Sequence, residues 1–229
     1  MDQASLQGLF RAALANAKAL LQEASLLLQH GHYSRAYLLA VASIEETGKA
    51  AIAHDAPGRN LRDQAVRSKI DRMITDHASK IRAAFTGFLV ADPDKNAERA
   101  VELIVQLQRG REPSMYTEIR TDGSVYSPSN SVSETNANDC IRLADRCFRS
   151  IENHIQTIPP RASTSMEDRF FALRNGETSK IMNRSDFWWY YISRLEQGEK
   201  DLASAVITYK HDYLLAGKEF EKSGADGAA

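Results

Sequence analysis

The stretch that decides the fold is Leu26-Leu27-Leu28-Gln29-His30-Gly31-His32-Tyr33-Ser34-Arg35-Ala36-Tyr37-Leu38-Leu39-Ala40-Val41-Ala42-Ser43-Ile44-Glu45-Glu46-Thr47-Gly48-Lys49. Apolar residues recur at helical spacing on both sides of Gly31, and a glycine at such an interruption is a common helix end. Upstream, Leu6, Leu9, Phe10, Ala13, Leu14, Ala17, Leu20, Leu21 and Ala24 extend the pattern, which predicts one long amphipathic helix from about residue 4 to 30. Downstream, a second helix runs from Tyr33 to about His54 and stops at Pro57-Gly58. So short a link makes the two an antiparallel pair. Gly48 falls on the buried side of the second helix, where glycine costs about 1 kcal/mol relative to alanine, so its position implies close approach of another backbone.

Farther along, a third helix is expected from about Asp63 to Val90 through Ile70, Met73, Ile74, Ile81 and Phe85, with His77 standing where the apolar series needs a member. Asp92-Pro93 reads as the cap and first residue of a fourth helix carrying Ala97, Val101, Ile104 and Leu107. From Arg109 to Ser133 the helical period is lost, and Thr121-Asp122-Gly123-Ser124 between β-prone runs predicts a small hairpin around 113–128. A fifth helix follows, from about Glu134 to Ile158, packing through Cys140, Ile141, Ala144, Cys147, Phe148, Ile151 and Ile155, and Pro159-Pro160 marks a boundary. The expected architecture is all-α: an antiparallel helical bundle over residues 1–158, with a hairpin insertion, and a helical extension over 159–229 whose tail is disordered from about 223. In that extension Phe187, Trp188, Trp189, Tyr190 and Tyr191 point all around one helix, so the helix must be covered on several faces, by its own chain or by a partner.

Composition narrows the function classes. The 229 residues are 43% hydrophobic and 26% charged, with 29 Lys plus Arg against 30 Asp plus Glu, which excludes a disordered or collagen-like chain. A net charge of -1 removes whole-molecule attraction to nucleic acid or anionic lipid. The neutral total nevertheless hides a run from Arg59 to Arg82 with a net charge of +4. No apolar run reaches the length of a membrane span, and Met1-Asp2-Gln3-Ala4 lacks the order of a signal peptide, so a cytoplasmic protein without membrane contact is expected. Cys140 and Cys147, seven apart on a helix, are expected to be reduced and buried. No metal-binding motif, phosphate-binding glycine loop or serine-nucleophile motif occurs, so neither metal nor cofactor is expected.

The residues left to carry chemistry are polar ones on helical faces. Glu45 and Lys49 form an acid-then-base pair four apart, which by itself is an ordinary surface ion pair. His77 faces inward or into a groove, either as a hydrogen-bonded core residue or as the acid-base group of an interhelical cleft. In the second case Lys49 and Lys80 hold a phosphate, and Glu45 or Glu46 orients the imidazole.

The stretch from Leu26 to Lys49 resembles the first helical pair of HEPN domains, specifically the AbiV family of abortive infection proteins. His77-Ala78-Ser79-Lys80, the segment Arg111 to Tyr116 and Ser127-Pro128 ahead of the closing helix agree with it, and the resemblance spans about residues 5–158. It implies a HEPN-like bundle used in bacterial defence against phage, where infection switches on a growth-arresting effector. It also implies a homodimer that builds its site from both chains, with a phage-encoded activator or an inhibitory partner protein. Many such proteins are metal-independent endoribonucleases with an Arg-x4-6-His string. Arg72 to His77 and Arg149 to His154 fit that string, but residues five apart point about 140° away from each other on a straight helix, so neither pair shares a site without a kink or a second chain. Two functions remain. In one, Glu46, Lys49, His77 and Lys80 are catalytic, with Arg111, Tyr116, Glu45 and Arg72 completing an RNA cleft. In the other, the polar residues lock the bundle and the protein blocks a host component such as the translation machinery through Phe187, Trp188, Trp189, Tyr190 and Tyr191.

Overall fold

The computed structural model describes residues 2–91, 107, 114–119, 121–199 and 201–221. The fold is all-α, with one two-stranded hairpin among the described residues. It divides into two compact units, Met1–Gly58 with Ile70–Arg161, and Arg59–Lys69 with Ala162–Ala229. Among the described residues no helix is long and apolar enough to cross a membrane.

The first unit opens with α1 (Gln3–Gln29), whose first turn is capped by the Asp2 carboxylate accepting from the Ser5 N–H at 2.7 Å. Gly31, at a φ of +76°, turns the chain into α2 (Tyr33–Asp55). The two helices are antiparallel. Phe10 meets His54 near one end, and the Ser43 hydroxyl donates to the Ala17 carbonyl at 2.8 Å nearer the middle. Small buried residues line this seam, Ala13, Ala17 and Ala24 on α1 facing Ala36 and Ala40 on α2, and they let the axes come close.

The long third helix expected from the sequence is two helices, α3 (Gln64–Thr75) and α4 (His77–Ala91). Asp76 breaks the run because its carboxylate accepts from the Ser79 N–H at 2.7 Å, capping α4. The apolar period conceals this break, since Ile70 on one helix and Ile81 and Phe85 on the other are all buried. His77 is thereby the first residue of α4, with 54% of its side chain exposed, and is not the core histidine the periodicity allows. The expected fourth helix lies outside the described residues except for Leu107, which is buried in the first unit's core.

The hairpin pairs β1 (Glu118–Ile119) with β2 (Val125–Tyr126) in antiparallel register, Glu118 opposite Tyr126 and Ile119 opposite Val125. Asp122 holds the turn by accepting from the Ser124 N–H and hydroxyl at 2.9 and 2.6 Å. Ser133 then caps α5 (Glu134–Thr157), accepting from the Asn136 N–H. This helix runs parallel to α2 in a steady register: Tyr33 hydrogen-bonds Glu134 at the start of both helices, the Cys140 thiol approaches the Tyr37 carbonyl one turn on, and Asp55 faces His154 at the far ends. Cys140 and Cys147 are free and buried, and burial pushes the Cys147 thiol up to about 12.

At Gly48 the backbones of α2 and α4 come into direct contact. A Cβ built on Gly48 would lie 1.8 Å from the Lys80 carbonyl oxygen and 3.0 Å from the Ala84 nitrogen. Only glycine fits there.

In the second unit, α6 (Ser165–Ala172), α7 (Asn175–Met182), α8 (Ser185–Glu196) and α9 (Leu202–Tyr209) surround Leu173, Ile181, Phe187, Tyr190, Ala205, Val206 and Tyr209. Residues 59–69 belong with them although they precede the Pro159-Pro160 boundary by 100 positions along the chain. The buried Asp168 explains why, accepting from the Asn60 N–H at 2.9 Å and the Ser163 hydroxyl at 2.7 Å while the Arg59 guanidinium lies 3.8 Å over the Phe171 ring. At the other end of the core, Asp186 accepts from Arg184 and from the Tyr209 hydroxyl. Burial alone would raise the Asp186 carboxyl, but these bonds and the Phe220 N–H outweigh it and hold the group down at about 2.

Two outcomes follow from these packings. Gly48→Ala should lower unfolding stability by about 2 kcal/mol, because overpacking against a backbone carbonyl exceeds the helix-propensity gain, and urea denaturation measures it. Asp186 has a folded value of about 2 and an ordinary value of 3.8, so its support for the second unit is present above about pH 4 and is lost as the pH falls towards 2. Asp186→Asn should flatten that part of the acid-unfolding profile, and an unchanged profile would refute the assignment.

Candidate functional site

The Gly48 contact sets α2 and α4 so close that side chains one turn to either side must meet. Glu45 and Lys80 do so as an ion pair of 2.8 Å with only 7% and 8% of their side chains exposed. The same carboxylate oxygen, Glu45 Oε2, lies 2.6 Å from His77 Nδ1. A buried carboxylate thus holds an ammonium on one side and an imidazole on the other. Removing a charge of this kind from water is costly unless it is paired and hydrogen-bonded, and here Lys80 supplies the pairing.

The chemistry of the group is asymmetric. With Nδ1–H donating to Glu45, the neutral His77 ring leaves Nε2 as an acceptor, and the half-exposed ring can reach a solvent-borne group. Lys80 is buried and committed to Glu45. It orients the carboxylate and leaves His77 as the member of the group exposed to solvent. His77 also sits at the first position of α4, beside the Asp76 cap. Hydrogen bonding from Ser79 leads in holding the Asp76 carboxyl below its usual range, with the Arg82 charge adding to it.

The remaining sequence candidates are distributed as follows. Lys49 pairs with Glu46, three residues before it, and not with Glu45 as the four-residue spacing implied, because Glu45 turns towards α4. Both members of that pair are half-buried on the next turn of α2. Arg72 lies on the exposed side of the last turn of α3. Tyr116 is 56% exposed ahead of β1 and forms no hydrogen bond to the Glu45 group among the described residues. Arg111 lies outside the described residues. In the second Arg-x4-His string, Arg149 pairs with Asp145 and His154 faces Asp55, so the two take different partners.

The aromatic run divides by helical geometry. Phe187 and Tyr190 are buried in the second unit's core, Tyr191 is half-buried, and Trp188 and Trp189 are 41% and 47% exposed. The Trp188 indole N–H donates to the Met182 carbonyl at 2.8 Å, which fixes its ring orientation. One cluster had no signal in the sequence: His54, Asp55 and His154, whose ligand-type atoms all lie within 4.8 Å of one another. Adjacent residues at one helix end and a histidine 99 positions on match no spacing motif. Only the parallel register of α2 and α5 brings them together.

The Glu45–Lys80 pair yields a sharp test. Glu45→Gln should cost about 3 kcal/mol in urea denaturation because it strands a buried ammonium, whereas Glu45→Gln combined with Lys80→Met should recover most of that loss. Equal losses in the single and double variants would show that the pair is not coupled.

A profile of the HEPN domain of AbiV type, described as AbiV, matches residues 5–149. No curated protein and no solved structure matches the chain. The matched region is more than half of the sequence and contains α1 to α4, the hairpin and the first two-thirds of α5, with the Glu45–His77–Lys80 group inside it. The chain therefore belongs to the AbiV family of HEPN domains, a family of the abortive-infection, defence type.

Proposed function

We propose that this protein is an anti-phage abortive infection effector that arrests growth by metal-independent RNA cleavage, with His77 as its proton-transfer group. The observation that carries the reading is the buried Glu45 carboxylate, which holds His77 through Nδ1 and is itself held by Lys80. This arrangement prepares one nitrogen of a half-exposed imidazole to accept a proton. In the proposed step His77 Nε2 takes the proton of a ribose 2′-hydroxyl while that oxygen attacks the adjacent phosphorus. The bond from phosphorus to the 5′-oxygen breaks, water protonates the leaving oxygen, and the products are a 2′,3′-cyclic phosphate and a 5′-hydroxyl. In this reading Lys49, paired with Glu46 one turn beyond Glu45 on α2, exchanges that partner for the phosphate, where a cation stabilises the charge of the transition state. A homodimer supplies further cations from the second copy, consistent with an RNA contact confined to a cleft in a chain whose net charge is -1.

A second reading rests on Trp188 and Trp189, two adjacent exposed indoles on α8. Rigid aromatic surface of this kind is enriched at binding hot spots, and it suits a non-catalytic effector that blocks a host component.

Expression of His77→Ala and His77→Gln separates the two. His77 is half-exposed, so both variants should melt like the parent. Under the first reading they lose toxicity, and cleavage of total cellular RNA slows by about 10²–10⁴-fold with loss of cyclic-phosphate ends. Retained toxicity in folded His77 variants, with loss of toxicity in Trp188→Ala/Trp189→Ala, would overturn the enzymatic reading in favour of binding.

A further inference from the structure

At the far end of α2 from the turn that caps it, His54 and Asp55 are the last two residues of the helix, and His154 lies in the last turn of α5 beside them. Asp55 Oδ1 is 3.1 Å from His54 Nδ1 and 3.5 Å from His154 Nε2. The two imidazoles stand at 74° with centroids 5.8 Å apart, and the edge-to-face Phe10 ring covers His54 on its other side at 5.7 Å. His54 is buried, His154 is 30% exposed and Asp55 is 60% exposed, so the cluster has an apolar floor and an open mouth.

We propose that His54, Asp55 and His154 form a binding site for one zinc ion that clamps the C-terminal ends of α2 and α5 together. Tetrahedral zinc, with bonds of about 2.0–2.2 Å to nitrogen and carboxylate oxygen, sets neighbouring donor atoms roughly 3.3–3.5 Å apart. Both distances from Asp55 Oδ1 are close to that separation. The third, between the two ring nitrogens, is within 4.8 Å and closes by rotation of the half-exposed His154 side chain. Two imidazoles and one carboxylate are a donor set that first-row divalent metals take up, and three protein donors leave a fourth position for water or an incoming group. The surrounding field favours a cation as well, because the C-terminal ends of two parallel helices carry partial negative charge. Phe10 supplies the apolar wall that restricts ring motion and lowers the local dielectric. His54 lies nine residues from Glu45 on α2, about 13 Å along the axis, so this site is separate from the His77 group and does not depend on its proposed role.

The competing account is a purely hydrogen-bonded His–Asp–His chain, and metal titration distinguishes the two. Untagged full-length protein, stripped with chelator, is titrated with Zn²⁺ by calorimetry and with Co²⁺ by absorbance, and melted with and without Zn²⁺. The expected result is one equivalent bound, a tetrahedral Co²⁺ spectrum and a melting temperature raised by Zn²⁺. In Asp55→Asn and His154→Gln, both at accessible positions, affinity should fall about 10–100-fold or more and the Zn²⁺-dependent rise should vanish. Failure of the parent protein to bind one equivalent overturns the proposal whatever the variants do. Binding unchanged in folded variants overturns it too, because the metal then rests on other histidines such as His30, His32 or His211.

Discussion

The Lys80 carbonyl oxygen rests against the Cα of Gly48, and that contact sets the spacing of α2 and α4 on which the charged site depends. Any side chain at position 48 would push the two helices apart. At a wider separation the Glu45 carboxylate would gain water and lose Lys80, and the imidazole at the start of α4 would lose the acceptor that fixes its tautomer. The ion pair itself is a poor source of stability, since desolvating two charges roughly cancels their attraction. Its value lies in geometry. Once apolar packing has forced the helices together, a buried carboxylate has few satisfactory arrangements, and holding Lys80 and His77 at once is the one adopted here. Packing therefore provides the free energy, and the polar group determines which side chain presents a reactive atom to solvent.

A second consequence follows from the register of α2 and α5. These helices are parallel, so their negatively polarised C-terminal ends lie side by side, an unfavourable juxtaposition if left bare. Histidines at both ends, His54 and His154, respond to that field with groups able to carry positive charge or bind a cation. Asp55 lies between them and approaches both rings, so each imidazole has an acceptor at hand. The same α2 thus carries two polar groups facing different neighbours, one towards α4 near its middle and one towards α5 at its end.

Much of this was legible in the sequence where the determinant is local or periodic. Gly31, the Pro159-Pro160 stop and the Asp122-Gly123 turn each act within a few residues, and the elements they delimit lie where those signals put them. Gly48 was legible for another reason: a glycine on the buried side of a good helix has an energetic cost that only a tertiary contact offsets. The break at Asp76 was hidden because α3 and α4 keep their apolar residues in a common period across it, so the capping aspartate looks like one more polar residue. The choice of Glu46 over Glu45 by Lys49, the capture of residues 59–69 by Asp168 and the meeting of His154 with Asp55 depend on elements distant along the chain, and no window of sequence contains both halves.

Burial also sorts cations that the sequence presents as equivalent. Lys49 and Lys80 both look like phosphate-binding lysines flanking a histidine, yet Lys80 has 8% of its side chain exposed and Lys49 has 21%. Lys49 is paired with Glu46, so any anion that engages its ammonium must compete with that carboxylate. If Lys80 left Glu45, the buried carboxylate would lose the cation that offsets its charge. The two lysines therefore differ: Lys80 is a buried cation that holds the Glu45 carboxylate, and Lys49 is a half-buried one paired with Glu46. Among the described residues both lysines are paired with carboxylates of their own chain, which is the physical reason a second copy's cations enter the proposed reaction.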